Sequence, residues 1–372
     1  MKNMKLSDKS MNLIIQEEEK CIGCKKCMEG CPMLDTFSDS PKTLLGQLKS
    51  TGTFSPSLPY SCMLCGYCTE VCPTSVDLKS LFLELRRNTV DNYDGKLPKE
   101  FNLRGVELHQ KLSFSSLFTD DIRNLQSDTI LFPGCALLSH SPETVQNTYN
   151  YLREKIDGIG IYTKCCGKPT SYMGKKEEFD SYYGILAKEF QTKGIKRIIT
   201  CCPNCYITIK NNSPGIEVIS LWEVIADLGI PEDKVGRFRN LDKEFTIHDP
   251  CPIRKEENMH YSVRKIMEDL GLTVEEMQHS KGKTLCCGAG GMVSITHDEI
   301  AKAHTNRRAQ EANTEYIITY CQECVESMKK GGKTSYHILD LLFNDNYDNM
   351  KKTNQTLLLR WVNRFKGKSI GK

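Results

Sequence analysis

Two runs of four cysteines constrain this chain more than any hydrophobic pattern does. Residues 21–32 read CIGCKKCMEGCP and residues 62–73 read CMLCGYCTEVCP, each a Cys-x2-Cys-x2-Cys-x3-Cys-Pro. This spacing wraps three thiolates around one 4Fe-4S cube and sends the fourth cysteine to the neighbouring cube. The reading is Cys21, Cys24, Cys27 and Cys72 for one cubane cluster, and Cys62, Cys65, Cys68 and Cys31 for the other. Zinc is disfavoured, because zinc sites use paired Cys-x2-Cys halves and have no use for a fourth cysteine before proline in both copies. Interlocked ligands force the clusters close together, so this segment is a two-step electron wire without substrate chemistry of its own.

The whole chain of 372 residues carries nineteen cysteines. Its first 20 residues lack the apolar stretch of a signal peptide, and no 18-residue apolar segment occurs. Such cysteine usage argues for bound metal rather than disulfides and for a cytoplasmic protein, at the inner face of a membrane only through a partner. A formal charge of +3 is too small to imply nucleic acid. Metal binding deprotonates thiols, so the loaded protein is more acidic than the count.

Beyond residue 127 the chain repeats itself. TILFPGC ending at Cys135 corresponds to FTIHDPC ending at Cys251, KCCGKPT to LCCGAGG, and IITCCPNC to IITYCQEC, the last pair offset by 119 residues. The first unit reads Cys-x29-CysCys-x35-Cys-x2-Cys and the second Cys-x34-CysCys-x33-Cys-x2-Cys. Five ligands recur in each: Cys135, Cys165, Cys166, Cys202 and Cys205, then Cys251, Cys286, Cys287, Cys321 and Cys324. The alignment sets Cys201 opposite Tyr320, which leaves Cys201 outside the ligand sets.

Each unit alternates strand-like and helix-like segments. TILF precedes a helix with Ser141 as N-cap and Pro142 in its first turn, and with Val145, Tyr149, Leu152 and Ile156 on one face. The strand-like GIGIYTK runs into Cys165, RIIT into Cys202 and EYIIT into Cys321, while HDEIAKAHTNRRAQEAN reads as the helix before the last of these. Cysteines thus collect where strands end, which is where open α/β sheets bind their ligands. Five thiolates with one vicinal pair exceed what a cubane needs and suit a larger or opened cluster. Glycine after the pair lets the backbone approach and offer amide hydrogens to sulfur. Zinc in one of the two units is the alternative that ligand chemistry leaves open.

On these motifs, over roughly residues 20–345, the chain resembles the D-type subunits of heterodisulfide reductase and, next, the iron-sulfur subunits of glycolate oxidase and anaerobic glycerol-3-phosphate dehydrogenase. Those proteins join a helical dicluster ferredoxin to two cysteine-rich CCG domains. The 30 residues between Cys31 and Cys62, with TLLGQLKS among them, are similar to the helical ferredoxin of succinate dehydrogenase iron-sulfur subunits. The resemblance implies noncubane 4Fe-4S clusters in one or both CCG domains, facing each other and splitting a disulfide between them. It also implies a redox partner, whether flavoprotein, ferredoxin or membrane haem protein, and a disulfide or a quinone as acceptor. The competing function is a pure electron-transfer subunit, carrying electrons from a flavin dehydrogenase of 2-hydroxy acids or glycerol 3-phosphate to quinone. A metal-bearing scaffold without turnover is the third.

The expected fold class is α+β and α/β: a helical ferredoxin domain over 1–95, a linker over 96–126, α/β CCG domains over 127–240 and 241–347, and a basic tail over 348–372. DNYDGKLPKE at 91–100 opens the linker with turn residues. His248 and Asp249, just before Cys251, are candidates for proton donation to a departing thiolate or for support of the ligand turn. Arg254 is a candidate for holding an anionic substrate group or for a surface ion pair. The C-terminal TLLLRWVNRFKGKSIGK combines Leu357, Leu358, Leu359, Trp361 and Phe365 with Arg360, Arg364, Lys366 and Lys368. It fits a membrane surface, a partner, or its own domain.

Overall fold

The computed structural model describes residues 2–345 and 356–371; the expected boundary between residues 347 and 348 lies outside them. The N-terminal domain is helical. Ser7 caps the helix Asp8–Lys20 by accepting from Ser10 N–H, and Ser40 does the same for Pro41–Thr51 through Thr43 N–H. These helices bury Ile14, Leu45 and Leu48 against Leu81, Phe82 and Leu85 of the helix Leu78–Asn92. A short antiparallel pair, β1 (Met4–Lys5) with β2 (Thr53–Phe54), closes the domain.

Each repeat unit is a four-stranded parallel sheet. The first holds β3 (Thr129–Phe132), β4 (Gly160–Ile161), β5 (Arg197–Thr200) and β6 (Glu217–Ser220), in the order β4-β3-β5-β6. The second holds β7 (Phe245–His248), β8 (Val274–Glu276), β9 (Tyr316–Thr319) and β10 (Thr334–His337), in the order β10-β9-β7-β8. Numbered within its unit, each sheet runs 2-1-3-4, so the order reverses between its first and third strands. β3 and β7 are buried throughout, as parallel strands covered on both faces must be.

The two units pack about a pseudo-two-fold axis. The helix Leu221–Leu228 after β6 packs on Glu257–Asp269 of the second unit, and the helix Ile338–Phe343 after β10 packs on Pro142–Lys155 of the first. One hydrophobic core runs through both, with Leu131, Ile199 and Trp222 continuous with Ile247, Ile318 and Leu342. The reciprocal contacts include the turn Cys251–Ile253 on the helix Pro203–Asn212, and the helix Cys135–His140 on Gln322–Lys330. Each unit therefore presents its first ligand turn to the Cys-x2-Cys helix of the other.

Several elements differ from the sequence expectation. GIGIYTK contributes only Gly160–Ile161 as strand, and the helix with Ser141 as N-cap ends at Lys155, with Val145, Tyr149 and Leu152 buried. The helix expected over 297–313 spans Asp298–Gln310. The expected linker contains the helix Arg104–Leu112. Leu103, Gln110 and Ser113 are buried there with Val106 half-buried between them, and polar residues in the inward stripe hide its period. The C-terminal segment forms the helix Leu357–Lys366 and packs on its own chain, against the helix Cys135–His140. It does so with its polar face, since Asn363 and Arg364 are buried while Leu357, Leu358 and Phe365 are exposed. No helix among the described residues is long and apolar enough to cross a membrane.

Candidate functional site

β3 and β5 end side by side, with Phe132 level with Thr200, and β7 and β9 end alike at His248 and Thr319. Cys135 and Cys251 follow their strands by three residues, Cys202 and Cys321 by two. This is the switch point of each sheet, where the chain leaves neighbouring strands in opposite directions and opens a crevice.

In the first unit thiol–thiol hydrogen bonds run Cys135–Cys165–Cys166–Cys205–Cys202. In the second they run Cys251–Cys286–Cys287–Cys324–Cys321. The two chains of thiols match position by position. Cys165 and Cys135 sulfurs are 3.6 Å apart, and those of Cys287 and Cys324 are 3.3 Å apart. Hydrogen bonds from Cys165, then Cys205, hold Cys166 at about 5. Those from Cys286, then Cys324, hold Cys287 well below the thiol range. Their partners are pushed up, Cys205 by Cys166 first and Cys324 by Cys287 first. Buried thiols so crowded suit a metal that deprotonates them all together.

The glycines act as the vicinal motif requires. Gly167 N–H donates to Cys165 Sγ and Gly288 N–H to Cys286 Sγ, each at 3.4 Å. Both glycines have positive φ, +79° and +90°. A side chain on Gly288 would overlap Thr305 Oγ1 and lie 2.8 Å from Ala301 O. Cys201 turns the other way, into the hydrophobic core beside Tyr320, and burial pushes its thiol up.

In the N-terminal domain Cys21, Cys24, Cys27, Cys68 and Cys72 line one cavity together with Pro41, Val76 and Leu78. Burial raises Cys27 to about 11, with Cys21, Cys72 and Cys24 as its charged neighbours. Cys31 and Cys68 are likewise raised by burial, among Cys62 and Cys65. Cys72 thus sits with the thiols of the first run and Cys31 with those of the second, while Cys68 borders both groups. Only Cys24 among the eight is exposed.

The second set abuts the second repeat unit. Cys65 is held at about 6, first by a hydrogen bond from Cys286. Gly290 and Gly291 lie against the backbone of Met63 and Cys62 so closely that a Cβ on either would come within 2.5 Å of a carbonyl oxygen. Cys321 in turn feels the charge of Cys202. The thiol sets therefore run in series from Cys24 at the surface, through the dicluster domain and the second unit, to the first.

His248 is fully buried, with Nδ1 accepting from Arg308 Nε at 2.9 Å. Arginine is always a donor, so the imidazole carries its proton on Nε2. A ring nitrogen of His248 lies within 4.8 Å of Cys287 and Cys324 sulfurs, and the ring hydrogen-bonds Cys287. Burial and then Arg308 lower its pKa; it stays neutral and supports thiolates as a donor. Asp249 points away, bound by Tyr320, Arg264 and the backbone of Lys281. Arg254 spans Cys65 O and Gly282 O instead of a surface ion pair.

Sequence reasoning passed over four further residues. Gln110 donates from Nε2 to Cys165 Sγ at 3.6 Å, and neighbouring His109 hydrogen-bonds Cys135. Lys168 lies among Cys166, Cys205 and Cys251, between the two units, and burial lowers it to about 8. Arg86, fully buried, donates to the carbonyl of Cys62 and to carbonyls of both CCG units. None has a motif, although Lys168 follows the CCG triplet directly.

Residues 129–210 and 245–329 each match the cysteine-rich domain family known as CCG, and residues 20–77 match a 4Fe-4S dicluster domain. The B-type subunit of fumarate reductase (CoM/CoB) from Methanothermobacter marburgensis is 25% identical over 87% of this chain and 70% of its own length. The D-type subunit of dihydromethanophenazine:CoB-CoM heterodisulfide reductase from Methanosarcina barkeri is 24% identical over 85% of this chain and 90% of its own. A hypothetical protein from Helicobacter pylori shares the fold, with a TM-score of 0.55 and 11% identity over 93% of this chain and 74% of that one. The chain is thus an iron-sulfur oxidoreductase subunit carrying 4Fe-4S clusters, and it belongs to the family that joins a dicluster domain to two cysteine-rich CCG domains.

Proposed function

We propose that this protein reduces a disulfide, or a similar two-electron acceptor, between its two CCG sites, with electrons delivered through the dicluster domain. One observation carries the reading: two five-thiol series of identical order face each other across a pseudo-two-fold axis, with a half-buried lysine between them. A one-electron conductor needs no such duplicate. Noncubane 4Fe-4S clusters on Cys135, Cys165, Cys166, Cys202 and Cys205 and on Cys251, Cys286, Cys287, Cys321 and Cys324 would each supply one electron. The S–S bond then breaks as RSSR′ + 2e⁻ → RS⁻ + R′S⁻. Lys168 supplies positive charge where the two thiolates form, and His248 Nε2–H supports the thiolates of the second site.

Electrons enter at the exposed Cys24, beside the exposed Ile22, where a flavoprotein, ferredoxin or membrane haem partner docks. The cubane ligands are Cys21, Cys24, Cys27 and Cys72, then Cys62, Cys65, Cys68 and Cys31. All nineteen thiols are unpaired, which supports a reducing compartment such as the cytoplasm. The outward leucines of the C-terminal helix support attachment to a partner at the membrane face.

The test is addition of a thiol to the oxidised, iron-loaded protein. A new paramagnetic signal is expected, broadened by a magnetic sulfur isotope on the thiol and absent in Cys287→Ser, whose hydroxyl is a poor ligand for iron. A fully loaded protein with no such signal and no disulfide turnover, which passes electrons from a flavoprotein to a quinone analogue, would replace this reading with that of an electron-transfer component.

A further inference from the structure

The first CCG site is roofed by two segments with no counterpart on the second among the described residues, the helices Arg104–Leu112 and Leu357–Lys366. The C-terminal helix lies on Cys135–His140, whose first residue is a thiol of the site. Asn363 Nδ2 donates to Ser139 O at 2.9 Å, Arg123 Nη2 donates to Gly367 O at 3.0 Å, and Trp361 packs between His109 and Phe118. Under this roof Arg364 is 1% exposed. Its guanidinium stacks over Trp361 at 5.5 Å, yet none of its three nitrogens has a hydrogen-bond partner among the described residues.

An uncompensated buried guanidinium is costly, and an arginine cannot shed its proton to escape the cost. Something anionic must face it. No carboxylate among the described residues pairs with it, whereas the thiol Cys135 opens the helix on which the C-terminal helix packs. The second unit is arranged otherwise: its buried Arg308 is neutralised by Glu311 at 2.6 Å and spends Nε on His248. The charge surrounding the two sites is therefore unequal although their thiols match.

We infer that Arg364 is the positioned counter-charge of the first CCG cluster, and that it makes this site the electron sink at the end of the series. Reduction adds negative charge, which a fixed cation in a low-dielectric setting favours. Arg364 acts on the cluster and does not contact substrate. The inference rests on the clusters of the proposed function, but its readout needs no disulfide, so failure here leaves the disulfide reading untouched.

The experiment is a redox titration, followed by paramagnetic resonance, of the full-length iron-loaded chain, its Arg364→Lys and its Arg364→Met variants. The signal followed is the one that Cys202→Ser removes. Arg364→Met should shift the reduction equilibrium of that site at least tenfold towards the oxidised form, about 59 mV for one electron. Arg364→Lys should stay near the parent, and the remaining clusters should titrate unchanged in both. Loss of iron from the first site in Arg364→Met, with retention in Arg364→Lys, would also show that the charge is what the site needs. Identical titrations of the two variants, or equal iron loss from both, would reduce Arg364 to packing and overturn the inference.

Discussion

Replacing Arg86 by Met should unlock the three domains from one another. Its fully buried guanidinium donates Nε to Pro59 O at 2.9 Å and Nη2 to Cys62 O at 2.7 Å in the dicluster domain. Nη1 donates to Tyr172 O at 2.7 Å in the first CCG unit and to Gly291 O at 2.9 Å in the second. A charged donor contributes about 1.5–3 kcal/mol per hydrogen bond, so the gross contribution of four is roughly 6–12 kcal/mol. Desolvation of the guanidinium, which already lowers its pKa, offsets a good part. Removal also leaves the carbonyls of Cys62, Tyr172 and Gly291 without this donor, Pro59 O keeping the Cys62 N–H; breaking a buried charged site in this way costs about 3–5 kcal/mol. At about 1.4 kcal/mol per decade, amide exchange around Met173 and Met292 should accelerate at least a hundredfold by junction opening. Amides of β5 and β9 should keep their protection, and reduction of the second CCG site through the dicluster domain should slow. Acceleration below about fivefold, or equal acceleration in both sheets, would refute the idea that Arg86 is a local junction staple.

Four other outcomes follow from named contacts. Cys201→Ser should keep iron content and spectrum while Cys202→Ser loses the first CCG cluster; the reverse would mean the repeat alignment is off by one. The anaerobically purified chain should hold about 16 irons from four clusters of four, and about 8 irons with stoichiometric zinc would leave only the dicluster pair. Gly288→Ala should cost about 3 kcal/mol from left-handed strain and overlap, and should lose iron at the second CCG site, as metal analysis would report. His337, buried against Trp222, is held at about 3 by burial and then by His140. Its folded value lies below the unfolded one of about 6.5, so stability is present above that pH and lost as pH falls towards 3. His337→Asn should flatten that acid limb in denaturant titrations at pH 7, 6 and 5, and an unchanged slope would assign it to other groups.

Much of the site was legible before any coordinates, because cluster ligands obey local geometry. Each Cys-x2-Cys-x2-Cys-x3-Cys-Pro run encodes, within a dozen residues, three ligands for one cubane and one for its neighbour. Cysteines two or three residues past a hydrophobic strand mark the mouth of a parallel sheet, and Tyr320 opposite Cys201 told which of two adjacent thiols faces the core. The repeat carried the fold class too, since strand–helix alternation is a short-range pattern.

What tertiary structure alone decided rests on residues far apart in sequence. The meeting of Cys65 with Cys286, which sets the order of the electron path, depends on domain docking across more than 200 residues. Arg86 becomes a staple only when carbonyls from three domains converge on it. The helices Arg104–Leu112 and Leu357–Lys366 invert the expected rule, burying Gln110, Asn363 and Arg364 and leaving leucines outside. Periodicity reads burial from hydrophobicity, and it fails where the covered surface is a polar metal site whose charge a buried cation must answer.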